Sequence, residues 1–340
     1  MLRQYYIFKI SNRHQMERIG VITSGGDVPG LNAALHAIVL TANKRNTTVI
    51  GIHDGYEGMI EGHFAELEFQ TVCNIMNQGG TILHTSRSER FEEKKWREKA
   101  LENLKRNEVE GLIVIGGNGS LTGAEVFARE FNFPLIGIPK TIDNDVYGTD
   151  YAIGFDTACN TIVDAIDKIK TTADSTSRIF IVEVMGRKSG YLALHSGIAV
   201  AANAIIIPEI KPDLEKLFSL TEHNWRIGTR SMIIVITENS IIEGGAGLRK
   251  LMNSTFPHID TRLSILGHIQ RGGNPSAFDR TLASLLGYNA TVALLEKRTG
   301  SMVSIANEKV RFIPLAEVAG KTHEINTTIL NAANEFSVLI

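Results

Sequence analysis

Between Pro139 and Asp145 the chain reads Pro139-Lys140-Thr141-Ile142-Asp143-Asn144-Asp145, directly after the apolar run Leu135–Ile138. One strand-plus-helix unit earlier lies the glycine-rich turn Gly116-Gly117-Asn118-Gly119-Ser120. A carboxylate can take a proton from an alcohol, and glycine lets main-chain N–H groups approach a phosphate closely. Two carboxylates beside such a turn point to phosphoryl transfer. Thr23-Ser24-Gly25-Gly26-Asp27 repeats the strand–turn–helix arrangement, and Gly123 falls one turn beyond the second glycine cluster. Either turn alone also reads as a plain tight connection. Neither has the Gly-x-x-x-x-Gly-Lys-Ser/Thr spacing, and Gly117-Asn118-Gly119 lacks the third glycine of the dinucleotide fingerprint.

Two further segments resemble a polyanion clamp. Met185-Gly186-Arg187-Lys188-Ser189-Gly190 falls at the end of a strand, where open α/β sheets bind ligands. Gly267-His268-Ile269-Gln270-Arg271-Gly272-Gly273 sets an imidazole and a guanidinium three residues apart, with Arg262 upstream. Arginine forks match phosphate oxygens bidentately, although His268 could equally be a packing histidine and Arg271 a solvated cation.

These residues must be carried by an alternation of strands and helices. Strands are expected at Arg18–Thr23, Val49–Ile52, Gly111–Ile115, Leu135–Ile138, Arg178–Val184, Ala204–Ile207 and Ser231–Thr237. Helices are expected at Pro29–Lys44, Glu92–Arg106, Leu121–Glu130, Thr157–Thr172, Gly190–Ala202 and Asp279–Glu296. The order implies an α/β fold with mostly parallel sheets and too many units for one sheet, hence two Rossmann-like doubly wound lobes with a cleft between them. With 340 residues, 43% of them hydrophobic, the chain can fill two cores.

A net charge of −2 gives no general reason to expect nucleic acid or a membrane as partner. Cys73 and Cys159 fit neither a disulfide framework nor a zinc quartet, so a cytoplasmic location is expected. Met16-Glu17-Arg18-Ile19 reads as a natural start, with residues 1–15 a loose or non-native tail.

The combination resembles the 6-phosphofructokinases, closest to the short bacterial form, from about Met16 to the last helix. The resemblance is carried by Gly20-Val-Ile-Thr-Ser-Gly-Gly-Asp27, Gly55-Tyr-Glu-Gly58, Gly79-Gly-Thr81, Ile115-Gly-Gly-Asn-Gly-Ser120, Thr141–Asp145, Val184-Met-Gly-Arg187 and Leu266-Gly-His-Ile-Gln-Arg-Gly-Gly273. It implies transfer from ATP, with Mg2+, to the 1-hydroxyl of fructose 6-phosphate, in a homotetramer whose sites are shared between subunits. It also implies a donor lobe of residues 16–154 plus about 270–320, and a sugar-phosphate lobe of 155–269 plus about 321–340.

By the same resemblance Asp143 is the base, Thr141 and Asp145 support the transferring group, and Arg87 and Arg187 neutralise its charge. Gly26, Tyr56, Arg87, Ser88, Asn118, Gly119, Ser120, Gly123 and Lys140 fall at the donor, and Asn118 and Asp145 at the metal. Arg178, Met185, Gly186, Glu238, Arg262, His268 and Arg271 join Thr141, Asp143, Asp145 and Arg187 at the sugar phosphate, Arg178 and Arg262 reaching in from a neighbouring subunit.

Three departures from the family pattern stand out. Asn118 replaces an aspartate, and Lys140 replaces a glycine of the bacterial ATP users; lysine there is typical of pyrophosphate users and of some ATP-dependent relatives. Gly119 nevertheless keeps the glycine of ATP users, which favours ATP and leaves pyrophosphate as the alternative. At the bacterial effector site His36, Leu40 and Phe69 replace phosphate-binding arginines, Asn74 and Asn203 replace acids, and Lys170 keeps a charge. A catalytically weak regulatory paralogue and, from fold analogy alone, a nicotinamide-dependent oxidoreductase complete the readings.

Overall fold

In the computed structural model the described residues are 16–340 except 230, 241, 242, 337 and 340; the expected tail, 1–15, lies outside them. Among the described residues, twelve strands form two sheets. They are β1 (Arg18–Thr23), β2 (Thr48–Ile52), β3 (Phe64–Glu66), β4 (Gly111–Gly116), β5 (Leu135–Pro139), β6 (Ile179–Val184), β7 (Ala204–Ile206), β8 (Met232–Thr237), β9 (Thr261–Ile265), β10 (Ser301–Ala306), β11 (Lys309–Pro314) and β12 (Val338–Leu339).

The larger sheet runs β11-β10-β5-β4-β1-β2-β3 and the smaller β12-β7-β8-β6-β9. Every pair is parallel except β2 with β3 and β10 with β11. β4 and β8 are buried along their whole length, as strands covered by helices on both faces must be. In the larger sheet the chain steps from β1 outward to β2, then returns to β4 on the other side. This reversal opens a crevice beyond the carboxyl ends of β1 and β4. The end of β6 in the smaller sheet faces the same crevice, because Met185 and Arg187 share its lining with Ser24 and Gly117.

All seven strands expected from sequence are present, their bounds shifted by no more than a residue at either end. Two helix starts differ in ways that matter. The first helix begins at Leu31, not Pro29, because Gly30 takes a left-handed conformation (φ 106°) and holds the preceding turn open. The helix expected from Leu121 begins at Asn118, so Asn118, Gly119 and Ser120 form its first turn. The β10–β11 hairpin, and the helices Leu214–Ile227, Gly244–Thr255 and Thr327–Phe336, were not expected from sequence. No helix among the described residues is long and apolar enough to cross a membrane.

Candidate active site

The crevice encloses about 760 Å³. Fifteen residues singled out from sequence line it: Gly26, Tyr56, Arg87, Ser88, Asn118, Gly119, Ser120, Gly123, Lys140, Thr141, Asp143, Asp145, Met185, Arg187 and Arg271.

The floor is built from β4 and the helix Asn118–Phe131. Its N-cap is Gly117, which supplies no side-chain cap, so the first-turn N–H groups and the positive end of the helix dipole are left for an anion. A Cβ on Gly119 would meet nothing within 4 Å, so that position opens directly onto the crevice. Tyr56 stacks on Phe91 with ring centroids 3.9 Å apart and donates from its hydroxyl to the Ser120 carbonyl at 2.6 Å. Burial holds that phenol far above its ordinary pKa, so it stays a neutral donor. Ser88 accepts from the Phe91 N–H at 3.2 Å and steadies this wall.

The turn after β1 is less free than its sequence implies. The Ser24 and Gly25 N–H groups already donate to the carbonyls of Ile115 and Ser86, at 3.0 and 3.2 Å. At Gly26 a Cβ would lie 2.7 Å from Nη2 of Arg271, so a side chain there would have to displace that guanidinium. Arg271 donates to the carboxylate of Asp27 and from Nε to its carbonyl at 3.3 Å.

Lys140 is buried and donates from Nζ to the Gly26 carbonyl at 2.5 Å. Burial, then the neighbouring Arg271, pushes its pKa down to about 8, against the pull of Asp27, Asp143 and Asp145.

Asp143 and Asp145 stand on the loop after β5, half-buried. Asn144 between them takes a left-handed conformation (φ 48°) and locks the loop by donating to the Asp150 carbonyl at 3.0 Å and accepting from the Ala152 N–H at 2.8 Å. Thr141 accepts from the Asp143 N–H at 3.1 Å. Desolvation, then the charges of Asp145 and Glu238, push Asp143 up to about 6 against the opposing pull of Arg187 and Lys140. Asp145 is likewise raised by burial, held back by hydrogen bonds including those from Thr141 and Asn118. Nδ2 of Asn118 donates to both Oδ2 and the carbonyl of Asp145, at 2.9 and 3.2 Å.

Oδ1 of Asn118 is buried with no hydrogen-bond partner. A hard, unpaired oxygen next to a carboxylate is what Mg2+ accepts when substrate phosphates and water complete its octahedron. The residues therefore fit that ion. No cluster of three metal-binding side chains occurs among the described residues.

Gly186 (φ 143°) has no room for a side chain, since a Cβ would lie 2.3 Å from the Ser189 carbonyl, and this sharp turn delivers Arg187 to the crevice. Glu238 lies outside the lining but near enough to act on the charge of Asp143. His268 is exposed on the 3₁₀ turn Gly267–Arg271 and does not line the crevice.

Arg178 and Arg262 stand apart from the rest. They flank Asp260, at 2.6 and 2.9 Å, by the N-terminal ends of β6 and β9. A six-residue strand spans about 20 Å, so they lie about that far from Met185 in the same chain.

At the residues expected to have lost an effector site, Lys170 donates to the Val200 carbonyl at 2.8 Å and Asn203 accepts from the Ile233 N–H at 2.8 Å. Sequence reasoning missed Phe91, which shapes the donor wall, and the engagement of Arg271 by Asp27. It also missed Arg97, which is buried, grips Glu130 through Nε and Nη2 at 2.7 and 2.8 Å, and donates to the Phe91 carbonyl. Arg97 sits in a highly charged helix, where nothing in the residue order separates a buried cation from a solvated one.

The crevice thus has the anion-binding turn, carboxylates and cations that phosphoryl transfer requires, on two doubly wound lobes. The Phosphofructokinase family model matches residues 18–294, and the chain belongs to that family. It is 43% identical over 320 residues to a protein of Bacteroides thetaiotaomicron named ATP-dependent 6-phosphofructokinase 2, covering 94% of this chain and 98% of the relative. It is 45% identical over 323 residues to the ATP-dependent 6-phosphofructokinase of Bacillus pumilus, covering 95% of this chain and all of that one. The T-state phosphofructokinase of Pichia pastoris superposes with a TM-score of 0.84 at 34% identity; 95% of this chain matches 37% of that longer one. A pyrophosphate-dependent phosphofructokinase of Nitrosospira multiformis also scores 0.84, at 18% identity, and so shares the fold.

Proposed function

We propose that this chain transfers the terminal phosphoryl group of ATP to the 1-hydroxyl of fructose 6-phosphate, releasing ADP and fructose 1,6-bisphosphate. The observation that carries it is the placement of Asp143, with a pKa raised to about 6, in a crevice whose lining includes the cations Arg87, Lys140, Arg187 and Arg271. The similarity of nearly the whole chain to enzymes named ATP-dependent 6-phosphofructokinase supports the substrate and donor.

In this reading Asp143, ionised at neutral pH, accepts the proton of the attacking hydroxyl. Thr141 fixes its backbone. Arg87 and Arg187 face the equatorial oxygens of the transferring group, where charge accumulates. The first-turn N–H groups of the helix Asn118–Phe131 hold the donor phosphates, and Tyr56, Phe91 and Gly123 border the nucleotide. When bound, Mg2+ at Asn118 and Asp145 would neutralise phosphate charge and orient the donor. Residues 16–154 with about 270–320 form the donor lobe, and 155–269 with about 321–340 the sugar-phosphate lobe.

Gly119 supports ATP, because no side chain there obstructs the α-phosphate. Lys140 keeps a second reading, pyrophosphate as donor, since a buried cation at the phosphate end serves either donor. Arg178 and Arg262, remote from this chain's own crevice, complete the sugar-phosphate site of a neighbouring subunit in a homotetramer. The enzyme works in the cytoplasm without the bacterial effector response, because Leu40 and Phe69 cannot hold a phosphate. A coupled assay with fructose 6-phosphate and Mg2+, run with ATP and with pyrophosphate in parallel, tests the reading.

A further inference from the structure

Among the described residues the polypeptide crosses between the two sheets three times, and the last of these crossings, from β11 to β12, runs past Asp145. There Thr322 forms an antiparallel bridge with Val146, and the His323 N–H donates to the Asp145 carbonyl at 2.9 Å. That carbonyl also accepts from Nδ2 of Asn118. The backbone of Asp145 is therefore pinned by the donor-side helix and by this crossing segment.

What fixes the crossing segment is Tyr191, the first residue of the helix Tyr191–Ala199 and four residues beyond Arg187. Its ring is buried and stacks on the ring of His323, centroids 5.3 Å apart. Its hydroxyl donates to the Glu324 carbonyl at 2.9 Å and accepts from the Asn326 N–H at 3.3 Å. Nδ1 of His323 is buried without a hydrogen-bond partner, so stacking rather than a polar contact of that nitrogen holds the ring. Asn326 in turn accepts from the Thr328 N–H at 2.7 Å, at the head of the helix Thr327–Phe336.

We propose that Tyr191 is a positioning residue for Asp145, acting through the backbone of 322–326, so that the turn presenting Arg187 and the carboxylate of the opposite lobe are held in one register. A backbone carbonyl clamped by two donors cannot shift without straining both bonds, and a shift of the Asp145 backbone would carry its carboxylate with it. The single tyrosine ring spans the gap because it offers a stacking face and a two-way hydroxyl at once. This inference rests on the proposed role of Asp145 in phosphoryl transfer.

The test compares the full chain with Tyr191→Phe, which keeps the ring and removes both hydroxyl bonds, and with His323→Ala, which removes the stack. Hydrogen exchange in the absence of ligands is read on peptides covering 141–146 and 320–326. Both peptides are expected to exchange at least about threefold faster in each variant, with the rest of the chain unchanged. In assays with ATP and Mg2+, kcat is expected to fall about three- to tenfold, the Mg2+ concentration for half-maximal rate to rise, and KM for fructose 6-phosphate to stay within about twofold. Wild-type exchange at 141–146 in Tyr191→Phe, or unchanged kcat with only a lowered melting temperature, would overturn the proposal. Since the exchange readout needs no substrate, an inactive wild-type protein would count against the proposed function and leave the positioning role to be decided by exchange alone.

Discussion

The amide of Asn118 and the carboxylate of Asp145 meet side chain to side chain, Nδ2 to Oδ2 at 2.9 Å, across the mouth of a helix N-terminus. The amide bonds a carboxylate that an acid at the same position would repel. Asn118→Asp should therefore cost about 1–2 kcal/mol of stability without metal, lowering the melting temperature by a few degrees. Added Mg2+ should restore it, because a second carboxylate strengthens a hard-cation site. Thermal melts with and without Mg2+ check this; equal stability of variant and parent in metal-free buffer would show that the hydrogen bond contributes nothing.

Asp143 ties activity to pH. A base raised to about 6 is ionised above that value, so the rate should climb through about pH 6. Stability runs the other way. The folded state holds the proton more tightly than the unfolded chain, so this group's contribution is present below about 3.8 and is lost as pH rises through about 6. Asp143→Asn should then cut kcat by at least about 100-fold while stabilising the fold at pH 7.5 by at most about 3 kcal/mol. Initial rates and melts of one preparation give both numbers, and near-normal turnover would remove Asp143 from the mechanism.

The reading of the fold from sequence succeeded where the residue order has a strong period. β4, β5 and β8 are fully buried runs rich in β-branched and aliphatic residues, and β1 and β6 are mostly so, broken only by Arg18, Phe180 and Glu183. The Gly244–Thr255 helix was hidden by two leading glycines, and its N-terminus is capped from outside by Glu183, whose Oε2 accepts from the Gly245 N–H at 2.6 Å. In the site, local spacing identified the groups that share a turn. What it could not reveal were pairs remote in sequence: Lys140 against Gly26, Asp27 against Arg271, His323 against Asp145. Such contacts depend on how the two sheets face each other, which no local pattern encodes.

Position 119 separates the donors. With open space around its Cβ and a backbone that is not left-handed, Gly119→Asp should fold with an unchanged melting temperature. The new carboxylate would face the ATP α-phosphate, so kcat/KM for ATP should drop at least about tenfold while any pyrophosphate activity persists. Equal losses with both donors would place the effect elsewhere.

Lys140 supplies the other side of that balance. Its pKa of about 8 predicts an alkaline fall in rate near pH 8 if the charged amine is needed. In Lys140→Met that limb should vanish and kcat fall about 10- to 100-fold, since a buried cation next to the transferring group is lost. An alkaline limb unchanged in the variant would assign it to another group.

Arg178 and Arg262 test the assembly. Each alanine variant should chiefly raise KM for fructose 6-phosphate, at least about tenfold. Mixing Asp143→Ser subunits with Arg262→Ala subunits should recover a fraction of the activity, because some sites would combine an intact base with an intact arginine. No recovery in verified mixed oligomers would mean that the sites are not shared.

The most direct measurement is the steady-state rate of fructose 1,6-bisphosphate formation by the unmodified protein with Mg2+, with ATP and pyrophosphate supplied in separate reactions. Turnover with ATP that exceeds turnover with pyrophosphate is the predicted result. Efficient turnover with pyrophosphate and none with ATP would show that Lys140, not the open space at Gly119, decides the donor, and no turnover with either would contradict the assignment of this crevice as a working phosphoryl-transfer site.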